Sequence, residues 1–245
     1  MDVEDDLPIN AVTISPEQLE SFYQEIEKIP SSRVPIDGKA ARLAYEFMED
    51  TGLRVTELIH VKVKDINLTN RILTVTMPKV SRRCKCSRWK NKNEYSQAKV
   101  LEYADPLCSV CHGRGRWKKP QRTTISPRIW NKVTDYISKL GQEDRLFPVS
   151  RNALWEWAEK AGRKAGLNIS IIKKDKTITN MFNHFFRALC TIRMKRDAKN
   201  DDFKDELIMC KRRDTYDTHV DRYTEIDINY LLAWEEKTYG NLTNN

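Results

Sequence analysis

The chain has 245 residues and carries 43 lysines and arginines against 35 aspartates and glutamates, a formal net charge of +8. This length is sufficient for one substantial domain with its own core. No apolar run is long enough to cross a membrane and the N-terminus is acidic, which argues against a membrane protein or a secretory signal. Six cysteines are too few for a disulfide scaffold, so we expect a soluble, cytoplasmic protein in a reducing compartment.

The N-terminal part of the chain shows the pattern of successive amphipathic helices. Residues 15–18, Ser-Pro-Glu-Gln, combine an N-cap, a proline at the first helical position and a glutamine that reaches back to the cap. Apolar residues recur at helical spacing over residues 19–26 and again over residues 40–50. Gly52 is typical of a helix C-terminus, and a third helix is predicted from about Val55.

A β-hairpin with an interrupted tip is predicted next. Residues 65–77 read as two short strands, and the partner of the second strand returns only at residues 122–125. Residues 80–119 are therefore predicted to be an insertion in the hairpin. Between Lys79 and Arg122 there are 13 basic and 3 acidic residues, so this segment carries the charge that would attract a polyanion.

The remainder of the chain is predicted to be helical. A second cap-and-proline pair opens a helix over residues 126–137, and further helices are predicted over residues 151–165, 181–194, 202–210 and 229–237. The predicted fold class is mainly α (α+β), with a small antiparallel sheet.

Two short motifs contain the residue types that phosphodiester chemistry needs. The first is Thr51-Gly-Leu-Arg-Val-Thr-Glu-Leu58, and the second is His184-Phe-Phe-Arg187, whose two polar residues share one face of a helix. We expect that face to point away from the core into a cleft. The alternative is a surface histidine and a surface arginine on a helix that packs through its phenylalanines. Tyr223 follows 36 residues after Arg187.

In their residues and their order along the chain, these motifs resemble those of the tyrosine recombinase (phage integrase) family. The resemblance covers residues 40–77 and 122–226 and implies the helical catalytic fold of that family. It implies an N-terminal helix and linker over residues 1–35, a catalytic domain over residues 36–227 interrupted by a basic zinc-binding insertion over residues 80–119, and a C-terminal helix and tail over residues 228–245.

The resemblance also implies a role for each motif residue. Arg54 and Arg187 would bind the non-bridging oxygens of the scissile phosphate, and His184 would act as a hydrogen-bond donor or proton shuttle. Tyr223 would be the nucleophile that forms a 3′-phosphotyrosine, with Tyr216 and Tyr230 as competing candidates.

A lysine from the hairpin protonates the leaving oxygen in this family. Lys79 is the best positional match, and Lys118 and Lys119 remain alternatives. Glu57 would orient Arg54 or the lysine, or would only favour the helix dipole. The family's usual Leu-Gly-His before the nucleophile is absent, because the chain has Lys211-Arg-Arg-Asp214 there. Arg213 or His219 would fill that position, or the position is unfilled.

The insertion contains two short cysteine pairs. Cys84 and Cys86 are followed, after 21 residues, by Cys108 and Cys111, an arrangement typical of a structural four-thiolate zinc site. His112 could replace one cysteine as a ligand. The chemistry at the phosphate is expected to be metal-free. Four free thiols on a loop are the alternative.

Basic residues surround these cysteines and predict a surface that grips DNA. The 35 residues before the catalytic domain are too few for the family's N-terminal clamp domain, so we expect either that the chain is a catalytic fragment or that this surface partly replaces the clamp. The candidates are Arg82, Arg83, Lys85, Arg88, Lys90, Arg114, Arg116, Lys118 and Lys119.

The predicted function is site-specific recombination of double-stranded DNA by a homo-oligomer, a dimer or tetramer on DNA, of prokaryotic, plasmid or viral origin. A catalytically weak or inactive DNA-binding relative is the alternative, and a zinc-knuckle module on a helical scaffold is the third possibility. The C-terminal helix is expected to dock either on a neighbouring protomer or on its own core.

Overall fold

The structure is a computed structural model. It describes residues 14–29, 35–75, 82–83, 86, 105–109, 112, 116–117, 120–167, 170–173, 176–179, 182–198, 207–208, 211 and 228–240. The chain divides into two compact units. One contains residues 1–74 and 122–245, and the other contains residues 75–121.

Amphipathic helices open the larger unit, as predicted. In α1 (Pro16–Glu27), the Ser15 hydroxyl accepts from the Gln18 amide at 3.2 Å, and the Gln18 side chain accepts from the Ser15 amide at 3.1 Å, so the capping box is formed. Helix α2 (Gly38–Thr51) ends at Gly52, whose φ of 63° is the left-handed conformation that favours glycine. Helix α3 (Val55–Leu58) is a single turn.

A small sheet follows and confirms the predicted hairpin. A 3₁₀ turn (Val63–Asp65) leads into β1 (Ile66–Asn67), which pairs antiparallel with β2 (Ile72–Val75). Strands β3 (Arg82–Arg83) and β4 (Arg116–Trp117) belong to the smaller unit. Strand β5 (Gln121–Thr124) lies on the other side of β2, which gives the order β1-β2-β5.

The remaining helices are α4 (Pro127–Ile137), α5 (Arg151–Lys164), α6 (Phe182–Asp197) and α7 (Ile228–Tyr239). Helix α4 begins at the predicted proline, but the Ser126 side chain does not cap it. The Ser126 hydroxyl donates to the buried carboxylate of Asp50 instead, because that partner satisfies the hydroxyl inside the core. Of the weaker helix predicted over residues 202–210, the structure describes residues 207 and 208, which are helical.

Aromatic side chains join α1, α2 and α6 in the core. Phe22, Tyr45 and Phe186 are fully buried, and their ring centroids lie 5.0–5.6 Å apart. The Tyr45 hydroxyl donates to the carbonyl of Leu154 in α5, so the buried phenol is satisfied. These aromatic contacts therefore pack the three helices together in one core.

The sequence analysis missed one element, the hairpin of β6 (Ser170–Lys173) and β7 (Lys176–Thr179). Its signal is present as two β-branched runs, Ile-Ser-Ile-Ile and Thr-Ile-Thr, on either side of Lys-Lys-Asp-Lys. None of the described helices is long and apolar enough to cross a membrane.

Helix α7 packs on its own chain. Leu231, Trp234 and Tyr239 are buried in one apolar cluster with Cys190 and Met194 of α6. Ala198, Leu207 and Ile208 complete the cluster. Of the two dockings that the sequence left open for this helix, the structure has the one on the chain's own core.

Candidate active site

The first arginine motif forms a tight turn between α2 and α3. Gly52 reverses the chain, Leu53 is fully buried, and Arg54 becomes the N-cap residue of α3. The side chain of Glu57 is buried, and its Oε2 accepts from the Arg54 amide at 2.9 Å while its Oε1 accepts from Arg54 Nη1 at 3.2 Å. Glu57 therefore satisfies the helix N-terminus and orients the Arg54 guanidinium with one carboxylate.

The second arginine is brought to the same turn. Arg187 lies in α6 and its Nη1 donates to the carbonyl of Gly52, two residues before Arg54. Arg187 is only 3% exposed, so the expectation that its face of the helix points away from the core is wrong, and so is the alternative of a surface arginine. The guanidinium can be buried because the turn supplies an acceptor for it.

A buried ionic cluster lies directly behind this turn. Asp50, fully buried in the last turn of α2, accepts from Arg193 Nη1 at 3.0 Å and from the Ser126 amide at 2.9 Å. Lys211 Nζ lies 3.7 Å from Asp50 Oδ2, the oxygen that accepts from the Ser126 amide. Burial would raise the pKa of Asp50, but the positive charges of Lys211 and Arg193 outweigh burial and hold that pKa below its usual range.

Lys211 is itself fully buried and joins three elements. Its Nζ donates to the carbonyl and the hydroxyl of Thr124 in β5, each at 2.9 Å, and to Glu235 Oε1 in α7 at 2.5 Å. Its carbonyl accepts from the Thr123 hydroxyl at 3.0 Å. Burial raises the pKa of Glu235, and the charge of Lys211 offsets this only in part.

Sequence reasoning missed this cluster. Asp50 directly precedes the Thr-Gly-Leu-Arg motif, and its position in the last turn of an amphipathic helix was the only available signal. Lys211 and Glu235 look like ordinary surface charges in the sequence, because lysine and glutamate are rarely buried unless they are paired.

Several predicted residues lie outside the described part of the chain. These are Lys79, Tyr223, Arg213 and His219, and the side chain of His184, which is in the first turn of α6. Tyr216 also lies outside it, whereas Tyr230 is 39% exposed on α7.

The smaller unit is described in part. Its strands pair antiparallel, with Arg82 opposite Trp117 and Arg83 opposite Arg116. Cys86 and Cys108 are half-buried, and Cys84 and Cys111 lie outside the described residues. Among the residues that the structure describes, no three His, Cys, Asp or Glu side chains come together to hold a metal ion.

The backbone around Cys108 forms a tight turn. The His112 amide donates to the Cys108 carbonyl at 2.8 Å, and His112 has a positive φ of 48°. Of the predicted basic residues, Lys85, Arg88, Lys90, Arg114, Lys118 and Lys119 lie outside the described residues.

The larger unit is mainly helical, with a small antiparallel sheet. Within it, two arginines that are distant in the sequence, Arg54 and Arg187, meet at one turn. Residues 13–203 match the phage integrase family, and the chain belongs to that family. No curated protein matches the chain.

Solved structures of low similarity include two integrases and one site-specific recombinase. The integrase from mycobacterium phage Brujita is 13% identical, with 90% of this chain and 56% of that chain covered and a TM-score of 0.49. The Tn1549 transposon integrase in complex with circular intermediate DNA is 14% identical, with 86% of this chain and 59% of that chain covered and a TM-score of 0.46.

The XerH site-specific recombinase bound to palindromic difH substrate is 17% identical, with 94% of this chain and 51% of that chain covered and a TM-score of 0.43. This chain thus spans between half and three fifths of the length of those structures. The family assignment rests on the match over residues 13–203.

Proposed function

We propose that this chain is the catalytic part of a tyrosine-type site-specific DNA recombinase, an integrase that cuts and rejoins duplex DNA. The observation that carries the proposal is the hydrogen bond from Arg187 to the Gly52 carbonyl, which brings the second arginine to the turn that bears Arg54. Membership of the phage integrase family supplies the reaction class.

The two arginines stabilise the transition state. A guanidinium is planar, permanently charged and able to donate two parallel hydrogen bonds to a phosphate, so Arg54 and Arg187 together neutralise the charge that develops on the non-bridging oxygens. Glu57 and Gly52 orient these guanidiniums before the substrate binds, which reduces the reorganisation needed during the reaction. His184, three residues before Arg187, supplies a donor to the same phosphate.

Tyr223 is the nucleophile in this proposal. Its phenolic oxygen gives up its proton, through His184 as a shuttle or directly to water, and attacks phosphorus. The bond from phosphorus to the 5′-oxygen breaks, and the products are a 3′-phosphotyrosine and a 5′-hydroxyl. The proton for the leaving oxygen comes from Lys79, or from Lys118 or Lys119. The phosphotyrosine keeps the energy of the broken ester, so the reverse attack by a 5′-hydroxyl rejoins a strand without ATP.

The smaller unit is proposed to bind zinc and DNA. The segment from Lys79 to Arg122 carries 13 basic against 3 acidic residues, a charge that would attract a polyanion such as DNA. The turn at Cys108 supports a ligand pair for a structural zinc ion, held by Cys84, Cys86, Cys108 and Cys111, with His112 as the substitute ligand. Zinc would stabilise this unit and take no part in cleavage.

A non-cleaving DNA-binding relative is the second candidate. It is favoured by the absence of Leu-Gly-His before Tyr223, where the chain has Lys211-Arg-Arg-Asp214. The difference between the two candidates is the covalent intermediate. Assembly as a dimer or tetramer on DNA is proposed for both.

A nicked duplex that traps the covalent intermediate tests the proposal. The protein should form an adduct that survives denaturation, Tyr223→Phe should form none, and Arg54→Lys should form it on the order of a hundredfold more slowly. Tyr230→Phe is the matched control and should react like the unmodified protein. DNA binding without any adduct would select the non-cleaving candidate, and an adduct with Tyr223→Phe would move the nucleophile to another tyrosine.

A further inference from the structure

Lys211 is the most unusual side chain in the described part of the chain, because lysine is almost never fully buried. Its ammonium group is held by Thr124, Glu235 and, at 3.7 Å, Asp50. The motif residues described above account for none of these contacts.

The contacts of Lys211 reach the arginine turn. Thr123 uses its hydroxyl to hold the Lys211 carbonyl at 3.0 Å and lies 3.5 Å from the carbonyl of Thr51. Thr51 and Asp50 form the end of α2, and the next residue is Gly52, which binds Arg187. Lys211 is therefore two contacts away from Thr51, the residue that directly precedes the turn bearing Gly52 and Arg54.

Lys211 lies close in sequence to the proposed nucleophile, Tyr223. Tyr223 lies twelve residues after Lys211 and five residues before α7 begins at Ile228. A free chain of twelve residues can extend about 40 Å, so chain connectivity alone does not bring Tyr223 to the arginines. The bond between Lys211 and Glu235 ties the two ends of this segment together behind the turn.

We infer that Lys211 is a positioning residue, which through Glu235 and Asp50 anchors both ends of the segment that carries the nucleophile to the turn that carries the catalytic arginines. This inference rests on the proposed recombinase function. Lys211 makes no contact with DNA in this inference. It affects the reaction through the distance between the Tyr223 oxygen and the phosphate.

The cluster is suited to this role because its hydrogen bonds are directional and each positive group lies beside a carboxylate. Removing one member leaves a buried charge unpaired, whereas removing an oppositely charged pair leaves Asp50 and Arg193 matched. Replacing a buried ion pair by two apolar side chains is often neutral or stabilising, so a role of this pair in fixing one arrangement can be separated from its effect on stability.

The test measures single-turnover adduct formation on saturating nicked duplex, with rate constant and amplitude recorded separately. Loss of folded protein lowers the amplitude, whereas a displaced tyrosine lowers the rate constant. Lys211→Met should lower the rate constant on the order of tenfold to a hundredfold, since a displacement of about 1 Å has effects of this size. Its affinity for DNA should change by less than about threefold.

Two further variants separate positioning from stability. Lys211→Met combined with Glu235→Met removes the pair without leaving a charge unpaired, so it should fold well and still react slowly. Tyr45→Phe removes a buried hydrogen bond to Leu154 remote from the cluster, and should change stability or amplitude but leave the rate constant unchanged.

The outcomes are distinct. If the unmodified protein forms no adduct, the proposed function fails and this inference fails with it. If the unmodified protein reacts and the double variant is equally fast, the recombinase stands and Lys211 is only a packing residue. A slow double variant with full amplitude and unchanged DNA affinity supports the inference.

Discussion

Asp50→Asn should destabilise the protein more than almost any other single polar substitution. Asp50 is fully buried, and its carboxylate accepts from the Ser126 amide and hydroxyl and from Arg193. Asparagine keeps one acceptor oxygen and replaces the other by an amino group, which would face a donor. Arg193, which is 6% exposed, would lose its nearer anionic partner and keep Glu49 at 3.9 Å.

The expected magnitude follows from the contacts that are lost. Two hydrogen bonds to a charged group contribute about 1.5–3 kcal/mol each, and breaking a buried ion pair costs about 3–5 kcal/mol. We therefore expect a loss of about 3–5 kcal/mol in the free energy of unfolding. For a domain of this size the melting temperature should fall by about 6–20 °C.

Urea unfolding at pH 7 measures this loss, and Asp135→Asn is the matched control because Asp135 is exposed and the change in charge is the same. The control should stay within about 0.5 kcal/mol of the unmodified protein. If Asp50→Asn is destabilised by less than about 1 kcal/mol, the cluster does not stabilise the fold in the way described.

The pH dependence provides an independent check. The folded pKa of Asp50 lies below its usual range, so its stabilising contribution is present above the unfolded pKa of about 3.9 and is lost as the pH falls through the folded value. The difference in stability between the unmodified protein and Asp50→Asn should be full at pH 7 and should shrink below about pH 4. A difference that stays constant down to pH 3 would contradict the assignment.

Three further predictions concern the turn, the C-terminal helix and the insertion. Gly52→Ala and Gly166→Ala each place alanine at a positive φ, 63° and 69°, so both should lose about 1–2 kcal/mol in urea unfolding, but only the first should slow adduct formation, because only Gly52 lies beside Arg54. Equal adduct rates for the two variants would refute the link. Leu231→Ala should cost about 2–5 kcal/mol, and the unfolding midpoint should not depend on protein concentration, since α7 packs on its own chain; a midpoint that rises with concentration would indicate docking between protomers. Zinc chelation or Cys108→Ser should weaken DNA binding and reduce its salt dependence, and equal binding by metal-free protein would reject the zinc-dependent grip.

The local elements could be predicted from the sequence because their signals are local. The capping box at Ser15, the glycine at 52 and the proline at 127 each act through bonds within a few residues, and the structure confirms all three boundaries. The interrupted hairpin was also predictable, because alternation at period two marks β2 and the β-branched residues Thr123, Thr124 and Ile125 mark its returning partner.

The predictions for Ser126 and Arg187 were wrong because each side chain bonds a residue that is distant in the sequence. Ser126 has the sequence of an N-cap but donates to Asp50, and Arg187 lies on the polar side of its helix by pattern but is buried against Gly52. Spacing along a helix indicates which residues share a face. It does not indicate whether a carbonyl from a distant turn contacts that face and accepts a hydrogen bond there.

The sequence alone determined the family motifs, the class of fold and the pair of arginines, because these depend on residue identity and on short-range backbone preferences. Only the tertiary structure decided that Arg187 meets the turn of Arg54, that α7 docks on its own core, and that Lys211 is buried between Asp50 and Glu235. These contacts join residues far apart in the chain. A charged side chain is stable in the interior only where the fold delivers a matching charge, and that pairing is a property of the packed molecule.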